Sequence, residues 1–356
     1  MPSAVRQTPD PAMISHSQEY AMNVLPIHRR TLLQGAAAWA GASLLGAAHA
    51  QAAKAPWPSK PIRIIVPYNA GGSTDVVART LADGMSKRLG KPVVVDNRGG
   101  ASGILGTDAV ARAPADGHTL LVSLSTSMMV NQYLYSKLPY NPEKDLELVS
   151  QIATAPIVLV VHPSVPANNM QELLAHVKAH KGKLSYGSWG QGSQAHLVGA
   201  YLSKATGADM THVAYKGEAP MLQDLLGGQL QLCFAGVAGA KPFVDAGRLK
   251  AIGLVGRERA PTLPQVATLH EQGLTDAAYS VVGWIGLGAP AGLPAQVLAQ
   301  LSSLVKELAL EPKMQEQLVN TGGLAVMGTP QAFREVYQRD APAWKALVAA
   351  ADVKLD

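Results

Sequence analysis

The stretch that decides the fold lies between Ile62 and Leu89 and reads IRIIVPYNAGGSTDVVARTLADGMSKRL. Its first five residues, ending at Val66, form an apolar and mostly β-branched run, which is typical of a buried strand. From Val76 onward, apolar side chains recur about every fourth residue, as they do along one face of a helix. We therefore predict a strand that leads through a turn into a helix.

Two adjacent glycines stand in this turn. Gly71 and Gly72 allow the backbone to bend tightly and allow a ligand to approach it closely. We predict that Ser73 or Thr74 caps the helix and that Asp75 stabilises its positive end. A strand, a glycine turn and a helix start together suit anion binding, so we predict that the turn holds a small carboxylate. Asp75 itself would repel such a ligand unless the ligand offers a hydrogen-bond donor.

The composition narrows the function classes. The chain has 356 residues, 47% of them apolar and only 15% charged, which is enough for two lobes with a sizeable core. The net charge of +5 is small, and no basic block alternates with aromatic residues, so nucleic acid is not expected as a partner. The single cysteine, Cys233, excludes an intrachain disulfide, and its apolar surroundings predict a buried small side chain.

The N-terminus predicts export. Arg29 and Arg30 precede an Ala/Gly/Leu-rich stretch, and Ala48-His49-Ala50 fits a small-x-small cleavage site. We interpret residues 1–50 as a twin-arginine-like signal peptide with an N-terminal extension, which is cleaved near Ala50 to release a periplasmic protein. The general secretion route and a start at Met22 remain open alternatives.

Strand and helix signals alternate after residue 61, which is typical of an α/β fold. Two long extended runs, Ile152–Val161 and Val281–Leu287, are candidates for crossings between lobes. We predict that residues 51–155 and 281–356 form lobe 1 and that residues 156–280 form lobe 2. In such a fold the ligand lies in a crevice at the carboxyl ends of strands.

Eight short stretches of this chain resemble the periplasmic substrate-binding proteins of tripartite tricarboxylate transporters, often called Bug proteins. The stretches are Trp57–Pro67, Gly71–Asp75, Pro92–Arg98, Ala115–Leu121, Tyr186–Ser188, His212–Gly217, Asp224–Gln229 and Ala289–Gly292. The resemblance covers nearly all of the chain after residue 56. It implies a type II periplasmic-binding-protein-like fold, with two α/β lobes joined by two crossing strands. It also implies a small organic acid as ligand, a membrane permease as partner, a monomer, no cofactor and no catalysis.

The resemblance also implies the pocket residues. They are Tyr68, Gly71, Gly72, Ser73, Thr74, Asp75, Ser125, Thr126, Ser127, Ser188, Trp189, Gly190, Ser193, Tyr215, Lys216, Gly217 and Ala235. Several readings stay open: Ser125–Ser127 are pocket donors or ordinary turn residues, Trp189 is a pocket wall or a packing residue, and Lys216 is a ligand contact or a solvated lysine.

The chain departs from the family pattern at four places. Asn69-Ala70 stands where two prolines are common, and Trp189 stands where a small polar residue is more usual. Glu218 replaces a small residue, and Ala235 stands where an aspartate often appears. Trp189 suggests a flat or apolar ligand body. Glu218 suggests an amine or hydroxyl on the ligand, or else serves the start of its helix.

Motifs for catalysis are missing from the sequence. The chain contains no Walker P-loop, no Gly-x-Ser-x-Gly elbow, no His-Glu-x-x-His and no complete dinucleotide fingerprint. A hydrolase is therefore the weaker alternative. A periplasmic ligand sensor for a signalling system is a second alternative, which the sequence does not separate from a transport receptor. The identity of the carboxylate is likewise open.

Overall fold

A computed structural model describes residues 56–355; the predicted signal peptide lies outside these residues. The strands are β1 (Ile62–Val66), β2 (Val93–Asn97), β3 (Thr119–Leu124), β4 (Leu146–Ala155), β5 (Ile157–Val161), β6 (Ser185–Ser188), β7 (Thr211–Ala214), β8 (Leu232–Gly236), β9 (Lys250–Leu254) and β10 (Gly283–Pro290). The α-helices are α1 (Ser73–Leu89), α2 (Ile104–Ala111), α3 (Asn131–Leu134), α4 (Met170–Ala179), α5 (Gln194–Thr206), α6 (Glu218–Leu226), α7 (Val237–Asp245), α8 (Ala295–Leu308), α9 (Pro312–Asn320) and α10 (Pro330–Ala351).

The strands form two five-stranded sheets. Sheet A has the order β2-β1-β3-β10-β4, and sheet B has the order β7-β6-β8-β5-β9. In sheet A, β1 is parallel to β2 and β3, whereas β10 is antiparallel to β3 and β4. In sheet B, β6 is parallel to β7 and β8, whereas β5 is antiparallel to β8 and β9. The predicted two-lobed α/β fold is therefore confirmed.

The chain passes between the sheets at Pro156. The extended run that ends at Val161 divides there, since β4 pairs in sheet A and β5 pairs in sheet B. Proline has no N–H for a strand ladder, which explains why the pairing changes at this residue. The chain returns between β9 and β10, because β9 belongs to sheet B and β10 to sheet A.

Strand β1 and helix α1 form as the opening stretch predicts. The strand has the predicted bounds, and Val77, Leu81 and Met85 of the helix are fully buried in the core that also contains β1. Val76 was placed on the same face, but it is 37% exposed and lies outside this core. The predicted capping was wrong, because the helix begins at Ser73 with Gly72 as N-cap and without a side-chain cap.

Two other local predictions were wrong. The sequence predicts separate helices up to Arg339 and from Trp344, but α10 is continuous across Pro342. Phe333 and Trp344 are both buried along this helix, so packing on either side of the proline outweighs its local cost. The sequence also predicts a helix from Lys241 to Asp245, but α7 already begins at Val237. Cys233 is fully buried, as predicted.

Candidate ligand-binding site

The predicted site residues cluster where strands end. The turn after β1 contains Tyr68–Asp75, the segment after β3 contains Ser125–Ser127, and the turn after β6 contains Ser188–Ser193. Tyr215–Gly217 follows β7, and Ala235 lies near the end of β8. Because β1 and β3 are parallel, and β6, β7 and β8 are parallel, each sheet brings its turns to one edge. This is the edge at which ligands bind in open α/β sheets.

In the turn after β1, Asp75 holds the backbone. Its Oδ2 accepts hydrogen bonds from the Gly71 amide and from Arg79 Nε, both at 2.9 Å, and its Oδ1 accepts one from Asn97 Nδ2 at 3.0 Å. Burial opposes ionisation of this carboxyl, but the bonds from Arg79, Gly71 and Asn97 outweigh it and lower the pKa of Asp75. Asp75 and the Gly71 amide are thus engaged within the protein. The first amides of α1, at Ser73 and Thr74, have no acceptor within the helix.

Behind this turn lies a network of buried hydroxyl groups. Ser123 Oγ donates to the Tyr68 hydroxyl at 3.4 Å and lies 2.6 Å from Ser127 Oγ, which also accepts from Thr107 at 2.8 Å. Burial raises the pKa of Tyr68, although the neighbouring serines oppose the shift. Ser125, like Thr126, is buried as well, so these residues are not exposed turn residues.

Two histidines support the turn after β6. Ser188 Oγ donates to the Gly190 carbonyl at 2.9 Å, so His212 Nε2, 2.8 Å away, is the donor toward Ser188. His196 Nδ1 accepts from the Gly192 amide at 3.0 Å. The two imidazole rings stack at 3.7 Å with an angle of 4° between their planes. The turn is therefore held by two stacked imidazoles.

Burial keeps both imidazoles neutral. It lowers the pKa of His212 to about 4, and it lowers the pKa of His196 to about 4 together with repulsion from His212. Ser193 caps helix α5 by accepting from the His196 amide at 3.3 Å. Trp189 is half-buried beside two of the apolar clusters.

The turn after β7 is tied to the turn after β6. The Tyr215 amide donates to the Ser188 carbonyl at 2.9 Å, and the Tyr215 hydroxyl donates to Asp224 at 2.7 Å. Lys216 is exposed, and Gly217 is the N-cap of α6. Ala235 has no exposed surface and lies in an apolar cluster of sheet B. The structure thus places Ala235 in the core, while the other residues of this group lie in the turn.

The turns of the two sheets touch each other. Ser102 Oγ, in the turn after β2, donates to the Gln191 carbonyl in the turn after β6 at 2.7 Å. Asn131 Nδ2 donates to the Ser102 carbonyl at 3.1 Å. Ser102 is adjacent to Gly103, where a Cβ atom would lie only 3.1 Å from the Tyr68 hydroxyl. This chain of contacts connects Tyr68 in the first predicted loop with the turn that holds Gly190.

A second connection between the sheets was not recognised from the sequence. Gln194 Nε2 donates to the Val281 carbonyl at 2.7 Å. At Gly283, a Cβ atom would lie 2.8 Å from Gln194 Oε1 and 3.4 Å from Ser125 Oγ. Ser102, Asn131, Gln194 and Gly283 therefore lie beside the predicted site residues. The glycine-rich turn around Ser102 was visible in the sequence, but its partner is 89 residues away along the chain.

Two surface hollows lie elsewhere among the described residues. One, of about 470 Å³, has Asn169, Lys250 and Gln272 among its lining residues, and the other, of about 520 Å³, has Tyr186, Lys204 and Asp209. Neither is lined by a residue of the predicted site. In the present conformation the turns of the two sheets are in direct contact at Ser102 and Gln191. Among the described residues, no group of three or more His, Cys, Asp or Glu is arranged to hold a metal ion.

Two α/β sheets joined by crossing segments, with facing turns at their strand ends, define a two-lobed binding protein. The chain belongs to the TctC family, described as "Tripartite tricarboxylate transporter family receptor", whose profile matches residues 77–353. The resemblance to Bug-type receptors is thereby confirmed. Among residues 56–355, no helix combines the length and the apolar character that a membrane span requires.

Three solved structures show the extent of the similarity. The periplasmic binding protein BugD is 33% identical, with a TM-score of 0.76 over 84% of this chain and 99% of BugD. Rpa4515 from R. palustris, solved with adipate, is 30% identical, with a TM-score of 0.78 over 84% of this chain and 99% of its own. MatC from Rhodopseudomonas palustris, solved with malate, is 30% identical, with a TM-score of 0.75 over 82% of this chain and all of its own.

Proposed function

We propose that this protein captures a small organic acid in the periplasm and delivers it to the membrane permease of a tripartite tricarboxylate-type transporter. The observation that carries the proposal is the contact between the turns of opposite sheets at Ser102 and Gln191. A ligand held between these turns would bridge the lobes. We propose the lobe boundaries predicted from the sequence, since sheet membership changes between Ala155 and Ile157.

Backbone amides supply the anion-binding groups in this proposal. The starts of α1 and α5 both lie at the strand ends, and helix starts favour negative charge. An exposed helix start stabilises an anion by about 0.3–1 kcal/mol, and a partly buried one by up to about 2 kcal/mol. A micromolar affinity corresponds to about 8 kcal/mol, so direct and water-mediated hydrogen bonds and lobe closure must supply the rest.

The ligand class is supported by the related structures. Rpa4515 was solved with adipate and MatC with malate, and both are carboxylates. The site of this chain offers amides, hydroxyl groups and neutral imidazoles, which suit recognition without covalent chemistry. We therefore propose binding and not catalysis.

A thermal-shift screen of organic acids tests the binding step. We expect at least one small carboxylate to raise the melting temperature and its neutral amide analogue to bind more weakly. If no acid binds, or if the amide binds equally well, the proposal of anion capture is wrong.

The delivery step is tested by deleting the gene and measuring uptake of the identified acid. Loss of uptake supports delivery to a permease. Normal uptake together with loss of gene induction by the acid would instead favour a sensor.

A further inference from the structure

Glu218 carries a carboxylate that lies at the starts of two helices. It is the first residue of α6, and its Oε1 accepts a hydrogen bond from the amide of Gly236, the N-cap of α7. The carboxylate also lies against Gly239 in the first turn of α7, where a Cβ atom would be 2.7 Å from Oε2. The glycines at positions 236 and 239 leave room for this carboxylate. The positive end of α7 is thus occupied by an anion that belongs to the protein.

No cation neutralises this carboxylate among residues 56–355. The ion pairs of this part of the chain do not include Glu218, and Lys216, two residues away, is exposed and unpaired. Burial raises the pKa of Glu218 to about 7, although the Gly236 amide opposes the shift. The buried Cys233 thiol is nearby, and Glu218 contributes to the rise in its pKa. The negative charge of Glu218 is therefore poorly compensated when the carboxyl is ionised.

The position of Glu218 is at the ligand edge of sheet B. It follows the turn formed by Tyr215 and Gly217, and its carboxylate reaches the end of β8 beside Ala235. Glu218 as a residue is half-buried and does not lie in the enclosed core.

We propose that Glu218 is a specificity-determining residue that excludes a second carboxylate from the α7 side of the site. The inference rests on the proposed function. A like charge beside an ionised Glu218 is repelled, and α7 cannot compensate because Glu218 already occupies its N-terminus. The preferred ligand carries one carboxylate, which the glycine turns bind, and a neutral donor such as a hydroxyl or amide toward Glu218. Adipate and malate, the acids bound to Rpa4515 and MatC, are both diacids, so this chain would differ from those proteins.

The test compares three diacids with their monoamides at pH 8, where Glu218 is ionised. The probes are succinate, glutarate and adipate, with succinamate, glutaramate and adipamate as partners of equal length. Calorimetry gives the affinity of the wild type and of Glu218→Gln. For the chain length that binds best, we expect the wild type to prefer the monoamide by about tenfold or more, since like-charge contacts cost more than 1.4 kcal/mol. In Glu218→Gln the preference disappears, because the amide oxygen still accepts from Gly236 but carries no charge.

Glu172→Gln is the matched control. Glu172 also stands in the first turn of a helix and accepts a backbone amide, that of Asn168, but it lies outside the site. This variant keeps the wild-type preference. A wild type that binds the diacid at least as tightly overturns the inference, as does an unchanged preference in Glu218→Gln. In both of those results the acids bind, so the proposed function stands. If none of the six probes binds either protein, the inference is overturned, and the wider acid screen decides the proposed function.

Discussion

Asp75 and Glu218 occupy similar places in the two sheets and have opposite electrostatic properties. Each stands in the first turn of a helix that follows a parallel strand and a glycine turn. Asp75 bonds Arg79, Gly71 and Asn97, and its pKa is lowered. Among residues 56–355, Glu218 accepts a hydrogen bond only from the Gly236 amide, and burial raises its pKa to about 7. An ionised acidic side chain at a helix start therefore stabilises the fold only where the hydrogen bonds that it accepts outweigh the cost of burying its charge.

The largest expected effect is on stability at the Asp75 site. Asp75→Ala removes the acceptor of three hydrogen bonds, and we expect the free energy of unfolding to fall by roughly 2–4 kcal/mol. Denaturant unfolding at pH 8 measures the change. Asp83→Ala is the control, since Asp83 lies on the same helix and forms an exposed ion pair with Lys313. That control should change stability by less than about 0.5 kcal/mol.

Glu218→Gln is expected to raise stability relative to the wild type, whereas Asp75→Ala lowers it. Because the pKa of Glu218 is raised from 4.5 to about 7, its contribution to stability is lost as the pH rises through this range. The variant should therefore become more stable relative to the wild type between pH 4.5 and pH 7. Unfolding curves over this pH range check the prediction, and a difference that does not vary with pH would contradict it.

The next effect is on ligand affinity at the glycine turn of sheet A. At Gly72 a Cβ atom would meet only the Asn69 carbonyl, at 4.0 Å, and the φ of −79° suits any residue. Gly72→Val should therefore keep the fold while its side chain fills the space of the ligand, with a loss of affinity of roughly a hundredfold or more. Gly328→Val is the control outside the turn, where the space is also sufficient. Normal binding by Gly72→Val would exclude this turn from the site.

The stacked histidines, His196 and His212, are expected to have a smaller effect, which concerns the pH dependence of stability. Their pKa values fall from 6.5 to about 4 in the folded protein, so the unfolded chain binds more protons over this range. The contribution of the two histidines to the free energy of unfolding is fully present above pH 6.5 and decreases as the pH falls toward 4. His212→Gln should flatten this part of the stability profile, and a profile as steep as that of the wild type would contradict the assignment.

The smallest effect concerns the contact between the sheets. Ser102→Ala removes the 2.7 Å hydrogen bond to the Gln191 carbonyl. A single bond contributes about 0.5–1.5 kcal/mol, so the affinity for the acid should fall by about two- to tenfold. Small-angle scattering should show less compaction with ligand than in the wild type. An identical scattering profile and affinity would show that this contact does not contribute to closure.

Much of the fold could be predicted because its signals are local. The β-branched run of β1, the glycine turn and the apolar face of α1 are all contained in 28 residues. The change of sheet at Pro156 follows from the missing N–H of proline. The continuity of α10 across Pro342 could not be predicted, because it depends on where Phe333 and Trp344 are packed.

The site could be predicted only in part for a similar reason. The turns are visible in the sequence, but the partners of their side chains are not. The carboxylate of Asp75 accepts a hydrogen bond from Asn97, which lies 22 residues away in the sequence. The carboxylate of Glu218 accepts one from Gly236, which lies 18 residues away. A pattern of residue types cannot show whether an acidic side chain will bond to a cation or only to an amide. In our proposal this difference separates Asp75, which anchors its turn, from Glu218, which repels a second carboxylate.

The most direct test of the central claim is a crystal structure with the tightest-binding acid from the screen. We predict that one carboxylate accepts hydrogen bonds from amides at the start of α1, near Ser73, and from the turn between Ser188 and Ser193. An acid bound instead in the hollow beside Lys250, or on only one sheet, would contradict the claim that the facing turns capture the anion.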